Sequence, residues 1–303
     1  MFSFKPSDNP AGIIKSRDNK LIDNKIVYVH DLGVETGRRP EGKEFFNSIQ
    51  LPPNAFFEPV PKVKRSVNYI CSGSGAGKSY YAGTIARNFH KAFKTQPEDI
   101  MLFKPTVQED VAYKGIPMVS IAIDETLLTD PITLDMISDG NPKLILFDDT
   151  EAIHGKKIRE AVKEFQDQVL LAGRKPDISC VVINHLITDY KNTRVILNEM
   201  TTLTIFSNDV AYDAVKYVCT KYIGLPKSDV EKIMKLPSRW VTISRPFPKY
   251  VMSQDQMYML GIDDLETIYA QPTVKRPINA KDFKNGKINK IYEPSSDEEE
   301  DLD

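Results

Sequence analysis

An α/β fold built on a mostly parallel sheet is what this sequence predicts, and three observations predict it. Short apolar, β-rich runs recur at residues 67–71, 100–104, 119–123, 144–147, 179–183 and 203–206. Helical patterns lie between them, as at 158–171, where Ile158, Ala161, Val162, Phe165, Val169 and Leu170 recur at helical spacing before Gly173. The first run leads directly into Ser72-Gly73-Ser74-Gly75-Ala76-Gly77-Lys78-Ser79, a glycine-rich turn that opens a helix over 78–93. Strands apolar along their whole length are those buried on both faces, and their alternation with helices is the pattern of a helix-covered parallel sheet.

The glycine-rich turn is the element with the most chemistry in it. A triphosphate concentrates negative charge, and glycines let successive backbone N–H groups close around its oxygens. The helix that follows adds the positive end of its dipole. The expected nucleotide-binding residues are Gly73, Ser74, Gly75, Ala76, Gly77, Lys78, Ser79 and Tyr80. Lys78 reaches the β- and γ-phosphates of ATP, and the Ser79 hydroxyl ligates Mg²⁺. The full pattern is G-x-x-x-x-G-K-[ST]; Ser72 stands where its first glycine would be.

Leu144-Ile145-Leu146-Phe147 ends in Asp148-Asp149, an apolar strand with two carboxylates at its tip. Such a strand is expected beside the strand of the glycine loop, with Asp148 holding Mg²⁺ through water. The attacking water needs a base, and Asp149 or Glu151 fills that role. The runs 100–104 and 119–123 fall between the two motifs. A strand inserted between them in the sheet marks the additional-strand division of P-loop NTPases, three-layer sandwiches that include motor ATPases. The run 179–183 ends in Asn184, an amide suited to sense the γ-phosphate and the water. Arg174, in Ala172-Gly173-Arg174-Lys175, stands at a helix–strand junction read as lying on the sheet edge. From there it is a candidate finger for a neighbouring subunit's site, with Arg194 as a second candidate.

The remaining sequence is expected to serve this core. Residues 1–60 are read as an N-terminal extension with one short strand near 25–30, 61–255 as the ATPase core, 256–273 as a segment packed on it, and 274–303 as a disordered acidic tail. Residues 227–236 read as a helix capped by Ser228 with Glu231 three residues on, a capping box. Runs 239–244 and 249–252 read as a closing hairpin. The chain of 303 residues is 41% hydrophobic and 27% charged, enough for a sizeable core. Net charge is −2, yet seven acids lie in residues 293–303, leaving a mildly basic body compatible with a DNA partner. Two basic clusters stand out, Lys62, Lys64 and Arg65, and Lys156, Lys157 and Arg159 after the acidic strand. Cys71, Cys180 and Cys219 read as buried thiols, and the four histidines are scattered, which argues against zinc. No apolar run has the length of a membrane span and no leader pattern opens the chain, so a soluble intracellular protein is expected.

In order and content these motifs resemble the packaging ATPases of the FtsK–HerA superfamily, and among them the poxvirus-type virion packaging ATPases of large nucleocytoplasmic DNA viruses. The resemblance rests on 72–79, 144–149, Gly173-Arg174-Lys175 with 178–185, Thr193-Arg194-Val195-Ile196-Leu197-Asn198-Glu199 with 203–206, and 239–243, and spans roughly 60–255. It departs from the family at three positions: Asn184 for a usual Gln, Asp149 for Glu, and Lys175 where viral relatives often carry His. The resemblance implies ATP-driven translocation of double-stranded DNA, without sequence preference, into a capsid by a homo-oligomeric ring. It implies a capsid or portal protein as partner, and a virion or viral-factory location. A P-loop kinase and a nucleotide-binding structural protein without turnover are the competing readings.

Overall fold

The computed structural model describes residues 1–31, 45–106, 110–189, 192–206 and 209–261. They fall into two compact units, one drawn from Met1–Glu58 and the residues from Phe247 onward, the other from Pro59–Pro246.

The first unit begins with β1 (Phe2–Ser3), β2 (Pro10–Ser16), β3 (Ile26–Val29), β4 (Ser48–Gln50) and β5 (Ala55–Glu58). Four of these form an antiparallel sheet in the order β1-β3-β2-β5. The turn between β2 and β3 is fixed by Asp23, whose Oδ1 accepts from the Ser16 N–H at 2.9 Å, and by Asn24 at φ 63°. Ile14, Val27 and Phe57 point into its core and are almost fully buried. Residues 1–58 thus carry far more regular structure than the one strand expected. The strands are short, and β2 pairs with β5, Ile14 opposite Phe57, so the pairing is non-local and leaves little local pattern.

The second unit contains β6 (Val67–Cys71), α1 (Lys78–Phe93), β7 (Ile100–Lys104), β8 (Val119–Ala122), α2 (Thr126–Thr129), α3 (Leu134–Ile137), β9 (Lys143–Asp148), α4 (Lys156–Ala172), β10 (Ile178–Asn184), α5 (Arg194–Glu199), β11 (Thr202–Ile205), α6 (Tyr212–Val218), α7 (Lys227–Met234) and β12 (Val241–Ser244). Its sheet runs β12-β11-β6-β10-β9-β7-β8, parallel throughout except for β12. Every residue of β9 and β10 is buried, as expected of strands covered on both faces. Phe103, Phe147 and Phe165 form a cluster with ring centroids 5.2–6.1 Å apart that seats α4 on the sheet. The α/β three-layer class read from the sequence holds, and all six predicted core strands are present.

Two expectations about the sheet are corrected. The acidic strand β9 does not lie beside the P-loop strand β6; β10 lies between them. The inserted strand is therefore the one that ends in Asn184, and β7 and β8 lie beyond β9. Chain order does not give sheet order, because each crossover helix is free to carry the next strand to either side. Likewise, α4 leads into a central strand, so Arg174 is not on the sheet edge. The capping box expected at Ser228 is not formed: α7 starts at Lys227, with Pro226 in the capping position and no side-chain cap. Proline's fixed φ already sets the entry to the helix.

The chain then returns to the first unit as β13 (Tyr250–Ser253) and β14 (Gln256–Met259), which pair with each other, while β14 also pairs with β4. Phe2 meets Tyr250 edge to face at 5.7 Å within this unit. The two compact units divide at 58/59 and 246/247. The acidic tail, and the part of 256–273 beyond Gly261, lie outside the described residues.

Candidate functional site

The sheet register assembles the site. Cys71 aligns with Asn184, and Ile183 aligns with Asp148, so β6, β10 and β9 end together at one edge. The loop 72–77, the amide of Asn184 and the two carboxylates leave the sheet at that edge, where ligands bind in open α/β sheets.

The glycine loop has the backbone its chemistry requires. Gly75 has φ 78° and Gly77 φ 109°, the region that side chains rarely adopt. Gly77 precedes α1, whose first turn carries no acid and no side-chain cap. The positive end of this helix is thus uncompensated by the protein and suited to an anion. Lys78 is buried, and its Nζ donates to the carbonyls of Ser72 and Gly73, each at 2.9 Å. The Ser72 hydroxyl is buried and has no hydrogen-bond partner. Ser74, Gly75 and Tyr80 are exposed along the loop and helix start.

Asp148 is the metal-binding candidate, and its surroundings fit. Oδ2 accepts from the Tyr113 hydroxyl at 2.7 Å, whereas Oδ1 is buried without a partner. Burial pushes the carboxyl above the usual carboxylate range, against the hydrogen bonds from Tyr113 and Ser79 that favour its ionised form. A carboxylate with a free buried oxygen and a hydroxyl beside it has the donor chemistry that a Mg²⁺ ion would need from the protein. Among the described residues no group of three His, Cys, Asp or Glu could hold a metal without such help.

Tyr113 was not anticipated. It reaches Asp148 from a single 3₁₀ turn, Val111–Tyr113, capped by Asp110, whose side chain accepts from the Ala112 N–H. That turn lies against α1 at Gly83: a Cβ there would stand 2.3 Å from the Ala112 carbonyl oxygen. A glycine inside a helix, unfavourable by propensity, is what lets Tyr113 approach.

Asp149 and Glu151 both face the site through His185. Asp149 adopts a left-handed backbone, φ 52°, and its Oδ1 lies 3.0 Å from His185 Nε2. Glu151 Oε2 accepts from the His185 backbone N–H at 3.1 Å, and burial raises its pKa. His185 Nδ1 in turn lies 3.3 Å from Lys78 Nζ. Asn184 is buried at the end of β10, and its carbonyl accepts from the Ser72 N–H at 3.3 Å. It lines, with Glu151, a cavity of about 1010 Å³ that extends along α4 past Lys156 and Arg159.

Arg239 opens the run 239–243, but the sequence assigns it no role at the site. Tyr81 of α1 stacks edge to face on Trp240 at 4.9 Å, and its hydroxyl meets Thr242 Oγ1 at 2.6 Å. This holds the start of β12 against α1, and Arg239 Nε donates to the Ala76 carbonyl at 2.9 Å. A Cβ at Gly77 would stand 2.9 Å from the Arg239 guanidinium.

The two finger candidates separate. Arg174 follows the C-terminus of α4, before β10 begins, at the end of the strand opposite Asn184. It does not join the site of its own chain. Arg194 starts α5, after the loop that leaves the site end of β10, and is exposed. Arg65 is accounted for structurally: its guanidinium donates to the carbonyls of Val169, Leu170 and Ile178, closing the C-terminus of α4. The three cysteines are buried, with thiols pushed up to about 12, as inert core residues are.

A glycine loop at a helix N-terminus, and an acidic strand separated from the loop's strand by one buried strand that ends in the Asn184 amide, define a P-loop NTPase fold of the additional-strand type. Within that class, the chain belongs to the family of the protein called uncharacterized protein V3 of Sputnik virophage, with 34% identity over 211 residues, 69% of this chain and 83% of that protein. No family model matches the chain. Among solved structures it is similar to the genome packaging NTPase B204 of Sulfolobus turreted icosahedral virus 2, at 11% identity, TM-score 0.41, covering 62% of this chain and 97% of B204. It is also similar to the pCW3 conjugation coupling protein TcpA, at 11% identity, TM-score 0.45, with 85% of this chain and 79% of TcpA covered. A third is the cytoplasmic domain of the type VII secretion ATPase EccC of Thermomonospora curvata, at 13% identity and TM-score 0.43, with 75% and 30% covered.

Proposed function

We propose that this protein hydrolyses ATP with Mg²⁺ and spends the free energy on moving double-stranded viral DNA into a capsid. The observation that carries the hydrolytic reading is the buried, unpartnered Oδ1 of Asp148 beside Ser79, one strand away from a glycine loop with Lys78 at its end. The Ser79 hydroxyl and, through water, Asp148 would hold Mg²⁺, which would supply neutralising charge to the phosphates. Lys78 exchanges the Ser72 and Gly73 carbonyls for phosphate oxygens, and the backbone N–H groups of 73–80 close around them. Asp149 or Glu151 takes a proton from water as its oxygen attacks the γ-phosphorus. The bond from that phosphorus to the bridging oxygen breaks, and ADP and phosphate leave. Asn184 orients the water and registers the γ-phosphate.

The translocating part of the reading is supported by the resemblance of the motifs and by charge. Lys156 and Lys157 open α4, whose first turn has no acid and no side-chain cap. Cations at a helix N-terminus oppose its dipole, so a nearby polyanion relieves the mismatch. This basic start follows Glu151 closely in sequence, so nucleotide state and DNA grip are adjacent along the chain. A homo-oligomeric ring fits this work, with Arg194 or Arg174 entering the neighbouring subunit's site, a capsid or portal protein as its docking partner, and a virion or viral-factory location. No helix among the described residues is long and apolar enough to cross a membrane.

The test is ATP turnover with and without long duplex DNA over a salt series. The reading expects stimulation that declines steeply as salt rises, because phosphate contacts release counterions. Turnover that ignores DNA at low salt argues against translocation and leaves hydrolysis standing.

A further inference from the structure

His185 is tied to three parts of the site at once. Its Nδ1 lies 3.3 Å from Lys78 Nζ, its Nε2 lies 3.0 Å from Asp149 Oδ1, and its backbone N–H donates to Glu151 at 3.1 Å. Its backbone carbonyl also accepts from the Cys71 thiol at 3.6 Å, at the end of the P-loop strand. The imidazole is half-buried, and its strand ends at Asn184, so the ring is held at the seam between the glycine loop and the acidic strand.

The chemistry of the partners fixes how the ring works. A lysine ammonium only donates, so Nδ1 must accept from Lys78. In the neutral ring the proton is then on Nε2, the nitrogen that faces the Asp149 carboxylate. Lys78 donates to one side of the ring, and the other side meets Asp149 Oδ1 in a polar contact of 3.0 Å rather than in an aligned hydrogen bond. When Lys78 leaves for phosphate oxygens, Nδ1 loses its donor while Nε2 keeps its close contact with Asp149. The imidazole thus favours the parked position of Lys78 in the empty site and orients Asp149 in both states.

We propose that His185 is a positioning residue that couples the position of the P-loop lysine to the orientation of Asp149. The proposal rests on the hydrolytic reading given above for the Asp149 half, and on nucleotide binding alone for the Lys78 half. Removing the ring frees Lys78 to meet phosphate, so binding gains while turnover loses, a split that general damage to the fold does not produce.

The experiment measures, for wild type, His185→Phe and His185→Gln, the affinity for a non-hydrolysable ATP analogue with Mg²⁺, and ATP turnover. His185→Phe should bind the analogue about threefold tighter or more and turn over ATP about tenfold slower or worse. His185→Gln, whose amide N–H can reach Asp149, should recover most of the turnover. A phenylalanine variant that binds equally or more weakly overturns the proposal, as does one that hydrolyses like wild type, or a glutamine variant no better than phenylalanine. If wild type binds the analogue but hydrolyses nothing, the hydrolytic reading fails, and the affinity shift alone decides for or against the Lys78 half.

Discussion

The Tyr113 hydroxyl donates to Oδ2 of Asp148 at 2.7 Å, and the opposite oxygen of the same carboxylate is buried with no partner. One oxygen is held by the fold, and the other is left for a ligand. Groups that orient a metal-binding carboxylate typically matter about 10- to 100-fold for metal affinity or activity. Tyr113→Phe should therefore raise the Mg²⁺ concentration for half-maximal ATP turnover by about tenfold. A Mg²⁺ titration checks this, and an unchanged half-saturation point contradicts it.

Gly83 makes the approach of Tyr113 to the site possible. Helix propensity alone says that Gly83→Ala stabilises by about 1 kcal/mol. The Cβ, 2.3 Å from the backbone oxygen of Ala112, says the opposite. Overpacking against backbone costs about 1–3 kcal/mol, so the alanine variant should be the less stable protein in urea unfolding, and should share the weakened Mg²⁺ dependence of Tyr113→Phe. A more stable alanine variant would show that the 3₁₀ turn gives way easily.

Asp148 makes the empty site unstable by itself. Burial raises its pKa in the folded protein, so the folded state keeps this proton to higher pH than the unfolded chain does. Stability then falls as pH rises from the unfolded carboxylate value toward the folded one, and the penalty remains above it. Glu151 shifts in the same direction, also through burial. Asp148→Asn keeps an oxygen for Tyr113 and removes the charge. It should melt higher than wild type at neutral pH, by about 2 °C, with the difference closing below about pH 4. Thermal melts across pH without nucleotide check this; a variant that melts lower at neutral pH runs against it.

Most of this site was legible because its chemistry is local. Residues 72–79 are contiguous, α1 begins at Lys78 as expected, and the pair Asp148-Asp149 sits at a strand end. The order of strands was not legible, since nothing in β10 itself says that it inserts between β6 and β9. The roles of Tyr113, His185 and Arg239 were not legible for a related reason: each reaches the site from 35 to 163 residues away in sequence, and the runs 178–185 and 239–243, which contain His185 and Arg239, do not mark either as a site residue. His185 adjoins Asn184, and that adjacency was the one signal available. The sheet of residues 1–58 was missed because its strands are short and its pairings distant.

The positions of Arg174 and Arg194 lead to a test in mixed assemblies. Arg194 starts α5 after the loop on the site side, whereas Arg174 lies at the far end of β10. If a ring forms with Arg194 as its finger, Arg194→Ala subunits mixed with Lys78→Ala subunits should regain a measurable part of the turnover that each lacks alone. Arg174→Ala should lose less than about threefold on its own, whereas a missing arginine finger costs about 10³-fold or more. A dead Arg174→Ala enzyme rescued by mixing would reverse the assignment.

The proposed function requires that the glycine loop and the acidic strand form one hydrolytic site. Steady-state ATP hydrolysis by the full chain with Mg²⁺, beside Lys78→Ala, Asp149→Ala and Glu151→Ala, tests it most directly. Turnover should vanish in Lys78→Ala, and should vanish in one of the two acid variants while that variant still binds ATP. Turnover that survives Lys78→Ala, or normal turnover in both acid variants, would contradict it.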